Sequence, residues 1–102
     1  MNQAQVMAQV KKMQAEMTRA QEELASLTVS GAAGGGAVSL EMTCEYRVTS
    51  VKVAKEAIDP DDAETLEDLL AVAINDAVNN VKAATEKRMS SVTGGMRIPG
   101  LM

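Results

Sequence analysis

Apolar residues recur at alternating intervals of four and three along the first part of the chain. This spacing predicts an α-helix with one continuous apolar seam, and no glycine or proline interrupts it. The seam lacks the flanking opposite charges that direct a parallel zipper, so core packing and dimer contact are favoured over a freestanding coiled coil. The sequence therefore predicts a helix over residues 1–26, with the seam Val6, Val10, Met13, Met17, Ala20, Leu24 and Leu27.

Residues 27–54 are predicted to form a three-stranded antiparallel meander. A short first strand over 27–30 is followed by the glycine-rich segment 31–36, which is predicted to be a flexible hairpin connection. A phosphate-binding loop is disfavoured because Lys-Ser or Lys-Thr does not follow Gly36 and the segment leads into a strand. After a turn near 45–47, Thr49, Val51 and Val53 alternate with Val48, Ser50 and Lys52. The apolar face of the second strand is predicted to be Val38, Leu40, Met42 and Cys44.

A second long helix is predicted over residues 60–91. Asp59 is expected to cap it, Pro60 suits the first helical position, and the following aspartates favour the positive end of the helix dipole. Residues 92–102 are expected to be a short apolar tail, either frayed or docked on a partner. The predicted stripe is Leu66, Leu70, Ala73, Ala77, Val81 and Ala84, widened by Leu69, Ile74 and Val78.

These elements predict one α+β domain over residues 1–102, in the order helix, three strands, helix. The 102-residue chain contains a single aromatic residue, so its core is shallow and a second copy is the expected source of further burial. The net charge of −4 does not by itself indicate nucleic-acid binding. However, the last helix begins with carboxylates and ends with Lys82, Lys87 and Arg88, a pattern explained either by the helix dipole or by cations presented to a polyanion.

The chain has no histidine, the commonest general base and a frequent metal ligand. We therefore expect no enzyme activity, metal, cofactor or small-molecule substrate. A carboxylate enzyme using the aspartates near Pro60 is the weakest hypothesis, because those residues already serve to begin a helix. The lone Cys44 is predicted to be a small core residue, and the lack of a signal peptide or membrane-spanning run predicts a cytoplasmic protein without membrane contact.

Several short motifs, in this order and over nearly the whole chain, resemble the YbaB/EbfC family of bacterial nucleoid-associated proteins. They begin with a Met- and Gln-rich first helix and the glycine-rich break, and they end with Gly94-Gly95-Met96 and Pro99-Gly100-Leu101. Each motif alone is weak, whereas their conjunction is specific. The intervening motifs are Val51-Lys-Val53, Leu66-Glu-Asp-Leu-Leu70 and Ala73-Ile-Asn-Asp-Ala77.

The resemblance implies a homodimer with projecting helices that binds duplex DNA with little or modest sequence preference and alters its conformation. Such a protein would affect nucleoid organisation and gene expression. The alternative is a non-enzymatic protein-interaction module that uses Met-rich helices and the apolar tail. If DNA is the partner, binding is expected to be directed at phosphates. The candidate contacts are Lys11, Lys12, Arg19, Lys82, Lys87 and Arg88.

Overall fold

The computed structural model describes residues 2–93 and confirms the predicted order of elements. Three strands form an antiparallel sheet in the order β1-β2-β3, between two long helices in the sequence. Short 3₁₀ turns at Gly34–Gly36 and Lys55–Ala57 precede β2 and α2. The elements are α1 (Gln3–Ser26), β1 (Thr28–Ala33), β2 (Val38–Thr43), β3 (Val48–Val53) and α2 (Ala63–Thr93).

Helix α1 begins with a reciprocal cap. The side chain of Asn2 accepts a hydrogen bond from the Gln5 amide at 2.8 Å, and the Gln5 side chain accepts one from the Asn2 amide at 3.4 Å. This capping box satisfies two amides that a helix start otherwise leaves unpaired. At the other end Leu27 is extended, so the helix ends at Ser26 as predicted.

The glycine-rich connection is shorter than the predicted segment 31–36. Residues 31–33 belong to β1, where Ala33 pairs with Val38 across the hairpin. The connection itself begins at Gly34, and the three glycines of its 3₁₀ turn have φ of 62°, 66° and 97°. Such left-handed conformations are readily adopted by glycine, which explains how the hairpin closes here.

Gly31 is part of a strand because helix α2 crosses β1 directly above it. A Cβ atom at Gly31 would lie 2.3 Å from the Ala73 carbonyl oxygen and 2.7 Å from the Ala77 Cβ. The two alanines are fully buried at this crossing. Thus the glycine that suggested a flexible linker instead permits a close contact between helix and strand.

Side chains of α2 also cover the outer edge of β1. Asp76 accepts a hydrogen bond from the Ala32 amide at 3.0 Å, and Asn80 donates one to the Ser30 carbonyl at 2.7 Å. These groups point away from β2 and would otherwise be unpaired on a sheet edge. The opposite edge, on β3, pairs with no strand within residues 2–93.

Helix α2 begins at Ala63 rather than at residue 60, and its cap is not Asp59. Asp62 accepts hydrogen bonds from the Thr65 amide at 3.4 Å and the Thr65 hydroxyl at 2.6 Å. Asp59 instead accepts from the Asp61 amide and stabilises the preceding turn. Of the predicted tail 92–102, the first two residues belong to α2 and the remainder lies outside the described residues.

The core lies between α2 and the first two strands, and the apolar face predicted for β2 is buried. The predicted alternation of β3 is wrong at Thr49, because a register shift between Glu41 and Met42 pairs Val48 with Met42 instead. Val48 and Val51 therefore share the core-facing side, yet they are 43% and 50% exposed. Helix α2 packs mainly over β1 and β2, so that Val53 is the one β3 valine packed against the core. The predicted α2 stripe is buried or half-buried, whereas Ile74, predicted to widen it, is exposed.

The apolar seam of α1 is divided into two parts. Ala20 and Leu24 are buried, while Val6, Val10 and Met17 are exposed. Every residue from 2 to 12 is exposed, so this segment, termed the arm, extends beyond the packed body. The overall dimensions of 71 × 27 × 16 Å reflect this elongated arrangement.

Replacing Gly31 with alanine is expected to destabilise the protein by about 3 kcal/mol, because the new methyl group meets backbone atoms of α2. Gly35→Ala is the control: its Cβ meets no atom within 4 Å, so only the positive φ of 66° opposes it, at about 1 kcal/mol. Urea unfolding at one fixed protein concentration compares the two variants. Equal losses of stability would contradict the close contact at Gly31.

Candidate nucleic-acid interface

Most acidic side chains of α2 lie near its start, whereas its three cations lie near its other end, where Glu86 is the one carboxylate between Lys82 and Arg88. The acidic group occupies the turn before the helix and its first two turns, whereas α1 packs beside the helix end that contains Arg88. Ala63 and Arg88 are 25 residues apart, which is about 37 Å along a helix. That separation exceeds four Debye lengths of about 8 Å at physiological ionic strength. The acidic group consists of Asp59, Asp61, Asp62, Glu64, Glu67 and Asp68.

The arm has no acidic residue. The first carboxylate in the chain is Glu16, so Lys11 and Lys12 are the only charged side chains in residues 2–15. Both are exposed, and neither forms an ion pair in the described structure. Glutamines supply most of the other polar side chains. The arm itself is therefore positively charged, and the first carboxylate, Glu16, lies one helical turn beyond Lys12.

Two predicted cations on α1 share a stripe. Lys12 and Arg19 are seven residues apart, which places them about 10 Å apart and within about 20° around the helix axis. Lys11 lies about 100° from Lys12, on a different side of α1. The helix thus presents cations over a broad face instead of along one line.

The three cations of α2 do not form one cluster. Lys82 and Lys87 are separated by about 140° around the helix axis, and Arg88 is about 100° from Lys87. Both lysines are exposed, whereas Arg88 is half-buried beside α1. Although the three residues are close in the sequence, the structure distributes them around the helix.

Arg88 connects the two helices. Its Nε donates a hydrogen bond to Glu23 Oε2 at 2.6 Å, and its Nη1 donates to Ser91 Oγ at 2.7 Å. The Ser91 hydroxyl donates in turn to the Arg88 carbonyl at 2.7 Å. The hydrogen bond from Arg88 lowers the pKa of the Glu23 carboxyl below its ordinary value and raises the pKa of Arg88. This is the only ion pair among the described residues.

A surface hollow of about 220 Å³ lies where the helices meet beside this pair. Arg19 and Arg88 both line it, so the structure brings together one predicted cation from each helix. Glu16 and Ser91 line the same hollow, and Val92 completes it. Sequence inspection did not single out Glu23 or Ser91, because no local pattern relates residues 23 and 88.

Between residues 2 and 93 no group of three or more histidine, cysteine, aspartate or glutamate side chains is arranged to hold a metal ion. Neither helix, over its described length, is apolar enough to span a membrane. Cys44 is buried and has no disulfide partner, as predicted for a small core residue.

Comparison with known proteins identifies the family. The family model described as the YbaB/EbfC DNA-binding family matches residues 1–96. The chain belongs to this family. A nucleoid-associated protein of Chloroflexus aurantiacus is 46% identical over 97 residues, covering 95% of this chain and 97% of the relative. A nucleoid-associated protein of Pelotomaculum thermopropionicum is 40% identical over 100 residues, covering 98% of this chain and 95% of the relative.

The fold of this YbaB/EbfC family member also matches a solved structure. An uncharacterized protein of Helicobacter pylori superposes with a TM-score of 0.70 at 21% identity, covering 95% of this chain and 99% of the other. This similarity supports the arrangement of elements alone. Family membership confirms the resemblance found in the sequence and favours DNA binding over the alternative of a protein-interaction module.

Proposed function

We propose that this YbaB/EbfC family member is a nucleoid-associated protein that binds duplex DNA as a homodimer. The observation that supports this function most directly is the acid-free, exposed arm on a protein whose carboxylates are concentrated elsewhere. A duplex beside the arm is affected mainly by the electrostatic potential of nearby residues, because salt screens the acidic group at the start of α2. The names of the relatives support the nucleoid association.

In this proposal the lysines of the arm contact phosphate oxygens and release counterions from the duplex. Lys82, Lys87 and Arg19 are additional candidate contacts, and Arg88 contributes while bonded to Glu23. Contacts to phosphates fix a protein on DNA but do not read its sequence. Little sequence preference is therefore expected. A dimer that holds two separated arms would favour DNA curved to fit both, which changes the conformation of the duplex.

The dimer is proposed to form through the uncovered β3 side of the sheet and the exposed seam of α1. Val48 and Val51 are unusually exposed for apolar residues on the core-facing side of a sheet. The only aromatic residue, Tyr46, is 53% exposed in the adjoining turn, and aromatic residues are enriched at interfaces. Side chains of α2 occupy the β1 edge at Ser30 and Ala32, whereas the β3 edge pairs with no strand within residues 2–93. Exposed apolar surface of this kind marks interaction sites.

Val51→Asp is expected to convert the dimer to monomers, because burying an unpaired carboxylate in the interface is unfavourable. Val72→Asp is the control: Val72 is 56% exposed on α2, outside the proposed interface. Sedimentation equilibrium gives the mass of both variants and of the unmodified protein. Sedimentation of Val51→Asp at the dimer mass, or dissociation of both variants, would contradict this interface.

Combined Lys11→Ala and Lys12→Ala substitutions are expected to weaken duplex binding on the order of tenfold at low salt. The slope of log affinity against log salt should become shallower by about 0.9 for each lost phosphate contact. Fluorescence anisotropy with one labelled duplex of mixed sequence measures both quantities. The matched control combines Lys52→Ala and Lys55→Ala, which remove the same charge from β3 and the following turn.

The lysines of α2 are tested by combining Lys82→Ala with Lys87→Ala, which leaves Arg88 in place to bind Glu23. A further loss of affinity is expected from this pair. Equal weakening by the arm variant and the Lys52/Lys55 control would reject the arm as the contact surface. Failure of the intact dimer to bind duplex at low ionic strength would reject DNA as the partner.

A further inference from the structure

The contact between Glu23 and Arg88 lies in the packed part of α1, where this helix meets α2. Ala20, on the arm side of Glu23, and Leu24, on the other side, are both buried, whereas residues 2–12 are entirely exposed. The ion pair joins residues 65 apart in the sequence. It therefore adds a directional, charge-assisted contact between α1 and α2 to the apolar packing of Ala20 and Leu24.

The pair is directional as well as charged. Glu23 receives the Nε–H of Arg88, and Ser91 receives an Nη1–H, so two sides of the planar guanidinium are fixed. A guanidinium has five N–H donors. Donors on Nη1 and Nη2 therefore remain for another acceptor beside the hollow that Arg19 also lines. Glu23 can thus orient Arg88 without occupying all of its donors.

Small changes at this contact have large effects at the end of the arm. Lys12 lies about 16 Å along the helix from Glu23, and Asn2 lies about 31 Å from it. A rotation of α1 by about 10° at Glu23 would move these residues by about 3 and 5 Å. Charge-assisted hydrogen bonds to phosphate span only about 2.7–2.9 Å. Such a rotation is enough to separate the arm from its phosphates.

We propose that Glu23 is a positioning residue for DNA binding, which holds Arg88 and the arm in the orientation that the duplex requires. This inference rests on the proposed function. Removing a carboxylate near DNA ordinarily strengthens binding, because it reduces repulsion of the phosphates. The proposal predicts the opposite change in affinity for Glu23. Loss of Glu23 should weaken binding even though it makes the protein less negative.

The test compares Glu23→Ala with Glu22→Ala. Glu22 is the adjacent exposed carboxylate and forms no ion pair in the described structure, so the change in charge is identical. Anisotropy titrations at low salt with a duplex of mixed sequence are expected to show unchanged or tighter binding for Glu22→Ala. For Glu23→Ala they are expected to show binding weaker on the order of tenfold.

Two further variants test whether the bond itself matters. Glu23→Gln retains a side-chain oxygen that can accept the Arg88 hydrogen bond, so it should restore most of the affinity lost in Glu23→Ala. Exchanging the charges, with Glu23→Arg and Arg88→Glu together, should recover binding relative to Glu23→Arg alone. Circular dichroism and sedimentation establish that each variant is folded and dimeric before its affinity is compared.

The orientation of the arm is measured separately, without DNA. Residual dipolar couplings of amides in α1 and α2 give the angle between the helices. This angle should be the same in the unmodified protein and in Glu22→Ala. In Glu23→Ala it should be altered, or averaged over several orientations. Unchanged couplings in Glu23→Ala, or changed couplings with no loss of affinity relative to Glu22→Ala, would overturn the proposal. If the unmodified dimer bound no duplex, the proposed function would fail, while the couplings would still report on the contact.

Discussion

Helix α2 and strand β1 approach each other so closely at Gly31 that a single methyl group would overlap the helix backbone. The rest of the structure depends on this contact. It brings Asp76 and Asn80 within hydrogen-bonding distance of the outer edge of β1, which closes that edge to another strand. It also places α2 over the first two strands, so that Val48 and Val51 of β3 stay exposed. The far part of α2 is then available to contact α1, which it does through the ion pair between Arg88 and Glu23.

The same geometry reconciles an acidic protein with a family that binds DNA. The length of α2 separates the acidic group at its start from the lysines of the arm by several screening lengths. Net charge, which sums over the whole chain, conceals this separation. Sequence alone showed that acidic and basic residues are segregated along the last helix, but the helix dipole was a sufficient explanation. The structure adds that the second half of α1, with Glu16 and Glu23, packs beside the end of α2 that contains Arg88, whereas its acid-free first part is exposed.

Local periodicity was enough to predict most elements, because each long helix and the buried strand β2 repeats its apolar residues at a regular interval. The predictions were wrong where a residue's conformation depends on distant contacts. Gly31 resembled part of a linker, yet it pairs with β2 and lies beneath α2. Asp59 was expected to cap α2, but its side chain accepts a hydrogen bond from the Asp61 amide within the preceding turn. The capping hydrogen bond, from the Thr65 amide, is accepted by Asp62 instead. The partner of Arg88 could not be inferred, since an ion pair between residues 23 and 88 has no signature in either local sequence.

The central claim is that DNA contacts the arm and the neighbouring end of α2, away from the acidic group. Amide chemical shifts recorded while a short duplex of mixed sequence is added to the labelled dimer test this claim most directly. Perturbations should concentrate in residues 2–23 and 82–91 and be absent from residues 59–68. Perturbations centred on the start of α2, or on the polar outer face of the sheet, would contradict it.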